Sequence, residues 1–373
     1  MKLVIFGLTV SSSWGNGHAT LWRGLCRALA NLGHQVVFFE RDVPYYAQHR
    51  DLLELPGGRL RLFNDWSAIA HEAQRELSDA DVGMVTSYCP DGLDATELLL
   101  GSRARLRVFY DLDTPVTLDC LQSGKPVTYI SPRGLADFDL VLSYTGGAAL
   151  AQLRIRLGAR RVAPLYGSVD PDVHRPVDPD PQFHCDLSYL GTYAEDRQAS
   201  LESLFIAPAR ALPEKRFLIG GAQYPQEFPW ASNIFFVRHV EPARHPAFYS
   251  SSKATLNVTR RAMKEMGYCP SGRLFEAAAC GVPIITDSWE GLEQFFDLKS
   301  ELIVARGERD TIDALDLGTE ALRKIGQRAR ERTLAEHTAS HRARELESIL
   351  ESAPSETGRP VENTPSDAAE VEA

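Results

Sequence analysis

The segment Ser271-Gly-Arg-Leu-Phe-Glu-Ala-Ala-Ala-Cys-Gly-Val-Pro-Ile-Ile-Thr286 sets a cation and an anion side by side where a helix is expected to begin. Ser271 fits an N-cap, Leu274, Phe275 and Ala278 form an apolar face, and Gly281 and Pro283 stop the helix before a strand. Arg273 and Glu276 are then neighbours in its first turns. A helix start that opens on Gly272 presents free N–H groups and a positive dipole end, which suit a diphosphate. A carboxylate beside it can accept hydrogen bonds from ribose hydroxyls. The same pair also suits an ordinary surface ion pair, and the segment alone leaves both readings open.

A second candidate lies near the start, in Gly15-Asn-Gly-His18. Gly15 and Gly17 permit a tight turn and close approach of a ligand to the backbone, and the helix that follows attracts anions. His18 is placed to deprotonate an acceptor hydroxyl as general base, or simply to hydrogen-bond its own loop. Asp111-Leu-Asp113 ends a strand just before Thr114-Pro115, a cleft position in which Asp113 can act as base or acceptor contact. The D-x-D spacing also occurs at Asp79/Asp81, Asp137/Asp139, Asp170/Asp172 and Asp178/Asp180, so it is not read as a metal site. No metal and no other cofactor is expected. Tyr45, Tyr46, His49 and Trp66 could line an acceptor surface or belong to the core. His34, after Gly33, is expected to cap a helix end.

These residues need rigid elements behind them. KLVIFGL, QVVFFE, RLRLF, VGMVTSY, LRVFYDL and FDLVLSY read as buried parallel strands, with helices near 66–78, 91–101 and 145–157 between them. Leu21, Leu25, Leu29 and Leu32 fall at helical spacing after the first loop. RVAPLYG closes this series, and DPDVHRPVDPDP is a linker without apolar periodicity. CDLSYLG, RFLIGG, NIFFV, ATLNV, PIIT and ELIVA form a second series, with helices near 195–207, 272–280 and 318–337. Strand–helix alternation on both sides of a linker predicts two Rossmann-like α/β domains. The expected boundaries are 1–170, a linker at 171–184, a second domain at 185–335, a helix at 336–351 that reaches back toward the first domain, and a disordered tail at 352–373.

The chain has 373 residues and a formal net charge of -10, part of it in the last residues. Nucleic acid is therefore not expected as a partner, because phosphate backbones demand a basic surface. The six cysteines show no C-x-x-C pair and no regular spacing, which fits free thiols in a reducing compartment. Lys2–Val10 is too short and too weakly basic for a signal peptide, and no apolar stretch is long enough to span a bilayer. A cytoplasmic protein without an integral membrane segment is expected.

Gly272-Arg-Leu-Phe-Glu-Ala-Ala-Ala-Cys-Gly-Val-Pro resembles the donor-site helix of GT-B glycosyltransferases, and within them the spore maturation protein CgeB-like group. Tyr189-Leu-Gly-Thr-Tyr with Asp196-Arg197, Phe217-Leu-Ile-Gly-Gly and Phe248-Tyr-Ser-Ser-Ser-Lys-Ala-Thr-Leu-Asn257 agree with it in order. The resemblance covers most of 185–305; in the first half it rests on the glycine-rich loop and Asp111-Leu-Asp-Thr-Pro. It implies a GT-B fold, two Rossmann-like domains facing across a cleft, and transfer of a sugar from a nucleotide-sugar donor to an acceptor hydroxyl that the sequence does not identify. Glu276 would hold the ribose. Arg197 would meet the diphosphate, with Arg273 beside the phosphates or the sugar, and Gly15, Gly17, Gly191, Thr192, Asn257, Arg260, Ser271 and Gly272 would complete the donor site. Arg260, Arg261 and Lys264 form a basic run, which for Arg261 and Lys264 reads as a solvated loop. Many retaining relatives carry a second Glu eight residues before the one matched by Glu276; here that position is Tyr268. The scaffold also supports nucleotide-sugar epimerases, and a sugar- or nucleotide-binding protein without turnover is a further alternative. A nicotinamide-dependent oxidoreductase is disfavoured, because the first loop lacks G-x-G-x-x-G and Glu40 alone does not replace it.

Overall fold

The apolar runs of the first half pair as one parallel sheet in a computed structural model that describes residues 1–353. Its strands are β1 (Lys2–Gly7), β2 (Gln35–Arg41), β3 (Arg59–Phe63), β4 (Val82–Thr86), β5 (Leu106–Asp111), β6 (Leu140–Ser143) and β7 (Val162–Pro164), in the order β3-β2-β1-β4-β5-β6-β7. The second half builds another parallel sheet from β8 (Cys185–Leu190), β9 (Phe217–Gly221), β10 (Ile234–Arg238), β11 (Ser252–Asn257), β12 (Ile284–Thr286) and β13 (Ile303–Val304), in the order β10-β9-β8-β11-β12-β13.

Successive side chains on a strand face opposite sides of its sheet. Leu3 and Ile5 join Val36, Phe38, Met84 and Val108 in one layer of the first core, while Val4 and Phe6 join Val37, Phe39, Val85 and Phe109 in the other. Helices cover both layers, which is why these strands read as unbroken apolar runs. The strand order reverses beside β1 in the first sheet and beside β8 in the second. Ligands of open parallel sheets bind beyond the strand carboxyl ends at such switch points.

The chain finishes where it began. After the helix Thr319–Glu336, Val169 pairs with Thr338 and the helix Ala339–Ser352 lies on the helix His18–Asn31. Ala339, Ala343, Leu346 and Leu350 are buried in the first core, so the last helix does reach back across the linker. Of the tail expected from 352, Ser352 ends this helix and Ala353 is buried; residues 354–373 lie outside the described residues.

Several local expectations change. The helix near 195–207 is a composite of Glu195–Arg197, Gln198–Leu201, Glu202–Ile206 and Ala207–Ala211, widened into a π turn at Glu202–Ile206 ahead of Pro208, which has no N–H to give. Arg261–Met266 is a helix rather than a solvated loop, with Lys264 Nζ 3.6 Å from Asp287 Oδ2. His34 caps the first helix through its backbone N–H, which donates to Leu29 O at 3.0 Å, while its side chain turns elsewhere: Nδ1 meets the Met1 amino group at 3.0 Å and Nε2 meets Glu347 at 3.0 Å. Trp66 packs against Phe6 and Phe63 at the first core, away from the cleft.

Candidate active site

Between the two sheets lies a cavity of about 480 Å³, lined by the loops that follow β1, β4, β5, β8, β9, β10 and β11 and by the start of the helix Gly272–Ala279. Both switch points open into it. The lips of the cleft touch: Gln223 Nε2 donates to Tyr45 Oη at 2.9 Å, and the Trp14 ring lies 3.9 Å from His49 and 4.6 Å from His239, centroid to centroid.

On the first-domain side the loop after β1 is held by a buried carboxylate. Glu40 accepts from Thr9 Oγ1 at 2.6 Å, from the Val10 and Ser11 backbone N–H groups at 2.8 and 3.0 Å, and from the Ser11 hydroxyl. It is therefore a loop anchor, with no lone pair aimed at a cofactor ribose. Asn16 Nδ2 donates to Thr9 O while its Oδ1 accepts the His18 N–H, which fixes the turn. Gly15 has φ +62°, and nothing would lie within 4 Å of a Cβ on Gly17, so the backbone there faces open space in the cavity.

His18 and Asp113, both expected from sequence, meet. Nε2 of His18 lies 3.7 Å from Oδ2 of Asp113. Burial alone would raise the Asp113 carboxyl, but His18, Arg260 and Tyr88 hold it below its ordinary value. Asp111 plays another part. It is fully buried, accepts the Asp113 N–H and the Thr117 hydroxyl, and is pushed up to about 6 by burial. It positions Asp113 and does not face the ligand.

The second-domain side is strongly cationic. Arg273 Nη1 donates to Leu190 O at 2.6 Å and its Nε to Ser271 Oγ at 3.2 Å. Arg197 Nη1 donates to Thr192 O at 3.1 Å, and its buried Nε has no hydrogen-bond partner among the described residues. Arg260 pairs with Asp196 at 2.9 Å. All three line the cavity, and among the described residues neither Arg197 nor Arg273 has a carboxylate within ion-pair distance. Burial lowers the Arg197 guanidinium below its ordinary value, and Arg273 and Arg260 add to the effect. The Tyr189 phenol, which burial would raise, is brought down by Arg197 and Arg273. A Cβ on Gly191 would lie 2.5 Å from Arg273 Nη1, so only glycine lets the guanidinium cross this loop.

Ser271 occupies the N-cap position, but its hydroxyl serves Arg273 and makes no cap hydrogen bond, a correction to the expected cap. The first turn of this helix is left open toward the cavity, which Gly272 and Ser271 line. Glu276 is 7% exposed and is not paired with Arg273 on a surface: it accepts from Thr20 Oγ1 of the first domain at 3.0 Å. Asn257, expected at the donor, is buried away from the cavity, with Nδ2 bonded to Thr286 Oγ1 at 3.1 Å between β11 and β12. Tyr268, at φ +48°, does not face the cavity either. Its ring is wedged between Gly147 of the first domain and Gly291, where a Cβ on either glycine would come within 2.3 Å.

Sequence reasoning missed Thr20, His174 and His245, weighed Glu40 only as a cofactor contact, and took Tyr189 only as part of a motif. Thr20 and Glu40 lie on elements it had placed, and their polarity at strand or helix ends was the available signal. His174 sits in the linker and His245 in the short helix His245–Ser250, where no periodicity pointed to a site.

Residues 197–348 match the family described as glycosyl transferase-like. No curated protein matches the chain in sequence. Among solved structures, sucrose-phosphate synthase from Thermosynechococcus elongatus is similar with a TM-score of 0.68 at 15% identity, over 94% of this chain and 98% of that one. HepE from Anabaena, in complex with UDP and glucose, gives 0.65 at 11% identity over 94% and 100%. An alpha-glucosyltransferase in complex with UDP and a 13-mer DNA gives 0.63 at 12% identity over 94% and 99%. The two-sheet architecture shared along the whole length shows that this chain has the GT-B fold, and its residues 197–348 match the glycosyl transferase-like family.

Proposed function

We propose that the protein transfers a hexosyl group from a nucleoside-diphosphate sugar to an acceptor hydroxyl. The observation that carries this reading is the cluster of Arg197, Arg260 and Arg273 at one wall of the cleft, beside an uncapped helix start, with Asp196 as its one paired carboxylate among the described residues. Concentrated positive charge in a closed site is costly without an anion to meet it, and a departing diphosphate is such an anion. The UDP held by HepE and by the alpha-glucosyltransferase makes a UDP-sugar the first donor to test.

In this reading residues 1–170 form the acceptor side, 185–335 the donor side, 171–184 the linker and 336–351 the closing helix. Glu276 accepts hydrogen bonds from the ribose hydroxyls in exchange for Thr20. Gly191 and Thr192 present backbone to the phosphates, and the open turn at Ser271 and Gly272 receives one phosphoryl group. The bond from the anomeric carbon to the phosphate oxygen breaks, and Arg197 and Arg273 take up the charge that develops on the diphosphate. The acceptor oxygen, arriving past Gly15 and Gly17, bonds to the anomeric carbon and gives its proton to His18, which Asp113 orients. Arginines supply the phosphate charge compensation, so the reading asks for no metal there. The quoted motifs support the CgeB-like group, and the six unpaired cysteines support a cytoplasmic setting. Among the described residues no helix is long and apolar enough to cross a membrane. The acidic chain, at -10, does not favour the DNA bound by the alpha-glucosyltransferase.

The test is release of UDP from UDP-glucose in the presence of a pooled set of sugar and polyol acceptors, followed by mass analysis of the acceptors. Release with a glycosylated product supports transfer. Binding without release identifies a non-catalytic binder, and interconversion of the donor without transfer identifies an epimerase.

A further inference from the structure

Behind the cationic wall, three side chains, one from the linker and two from the second half, converge. His174 Nε2 lies 3.5 Å from His245 Nδ1 and 3.9 Å from Glu276 Oε1, and His245 Nδ1 lies 3.9 Å from Glu276 Oε2. Their ligand-capable atoms all fall within 4.8 Å of one another. We propose that His174, His245 and Glu276 form a binding site for a divalent transition ion of the zinc type.

The geometry supports this in three ways. A tetrahedral ion with bonds of about 2.0–2.1 Å separates its ligand atoms by about 3.3 Å; the two nitrogens stand 3.5 Å apart and each lies 3.9 Å from a different Glu276 oxygen, so a rotation of the carboxylate with a modest contraction seats one ion against all three groups. The His245 ring is oriented by its other nitrogen, since Nε2 faces Val240 O at 3.1 Å; donation there leaves Nδ1 as a lone pair aimed at the cluster. A backbone carbonyl in this position is the usual outer partner of a metal-binding imidazole. Finally, the cluster is poorly satisfied by itself. His174 is 3% exposed, and its Nε2 has only the long contact to His245 and stands beyond hydrogen-bond reach of Glu276. An ion at the centre would bind all three groups at once. His245 and Glu276 also line the cleft, which leaves a fourth position open to water or a ligand atom.

Imidazole and carboxylate together favour zinc and its first-row neighbours over magnesium or calcium, which prefer all-oxygen shells. Because Glu276 is also the ribose partner assigned above, metal and donor would compete for it; that consequence rests on the proposed function, whereas the site itself does not.

The experiment is titration of the full chain, stripped with chelator, with Co²⁺ and Zn²⁺ in the absence of nucleotide. Co²⁺ is followed by its visible absorption and Zn²⁺ by calorimetry, for wild type, His174→Gln, His245→Gln and the surface control His71→Gln. Thermal melts without metal confirm that each variant folds. The expected result is one ion per chain with the absorption of a four-coordinate cobalt site. Loss of one outer partner alone costs about 10–100-fold in affinity, so removal of a ligand is expected to cost about 100-fold or more, with His71→Gln unchanged. Absence of stoichiometric binding by wild type would overturn the proposal. So would folded His174→Gln and His245→Gln variants that bind as wild type does. A stripped chain that binds no ion yet is stabilised by UDP-glucose would reject the metal site while leaving the donor site standing.

Discussion

Replacing Arg197 by methionine should move stability and activity in opposite directions. The guanidinium donates to Thr192 O, but its Nε is buried without a partner and no carboxylate pairs with it among the described residues. Arg273 and Arg260 act on it as like charges. A desolvated cation so placed weakens the ligand-free fold, so replacing it by an apolar side chain of similar length should leave stability unchanged or raise it. In the proposed reacting complex the same group would face the departing diphosphate. By comparison with loss of one oxyanion donor, its removal should cost about 2.7–4 kcal/mol of barrier, roughly 10²–10³ in kcat. The assays are a ligand-free melt and steady-state UDP release. The expected result is a melting temperature that is unchanged or raised, turnover down by two to three orders of magnitude, and a smaller stabilisation by donor. A lowered ligand-free melting temperature with turnover close to wild type would refute the reasoning, because Arg197 would then be structural.

Three further outcomes are expected. His18→Gln should lower kcat by about 10²–10⁴-fold while leaving the donor-induced thermal shift in place, and loss of that shift would relocate His18 from the acceptor to the donor. Gly221→Ala should unfold or misplace the donor loop, because its φ is +159° and its Cβ would lie 2.0 Å from Gly191 O; a variant that melts as wild type contradicts this. Asp111, held at about 6 against an ordinary 3.8, keeps its proton in the folded chain over a range where the unfolded chain has released it. That contribution is present below 3.8 and is lost as pH rises to about 6, so wild type should lose roughly 3 kcal/mol relative to Asp111→Asn across this window. Urea unfolding of both proteins on either side of it reads the difference, and parallel pH profiles would refute it.

The strands were legible because burial on both sheet faces leaves an unambiguous apolar run, as in β1 and β4. Short helices were not: Thr114–Gln122, His245–Ser250 and Arg261–Met266 are too brief for a periodic stripe, and the first two carry proline in their opening turn. At the site, Arg273 and Glu276 could be placed on a helix start from their spacing. What they face could not. Glu276 bonds Thr20 across a separation of 256 residues, and Asn257 turns into the sheet because its strand alternation points it at Thr286. Tyr268 stood out as a departure from a motif, yet only the close approach of Gly147 and Gly291 shows it as a wedge between the domains. Contacts of this kind arise from tertiary packing, which local pattern does not encode.

The central claim is that this cleft binds a nucleotide-sugar, and thermal shift with UDP-, GDP-, dTDP- and CDP-sugars, for wild type and Glu276→Ala, tests it most directly. One nucleotide class should raise the wild-type melting temperature, since a ligand that binds only the folded chain must stabilise it, and the variant should lose that response. No stabilisation of wild type by any of the four at millimolar concentration, or an undiminished response in Glu276→Ala, would contradict the account.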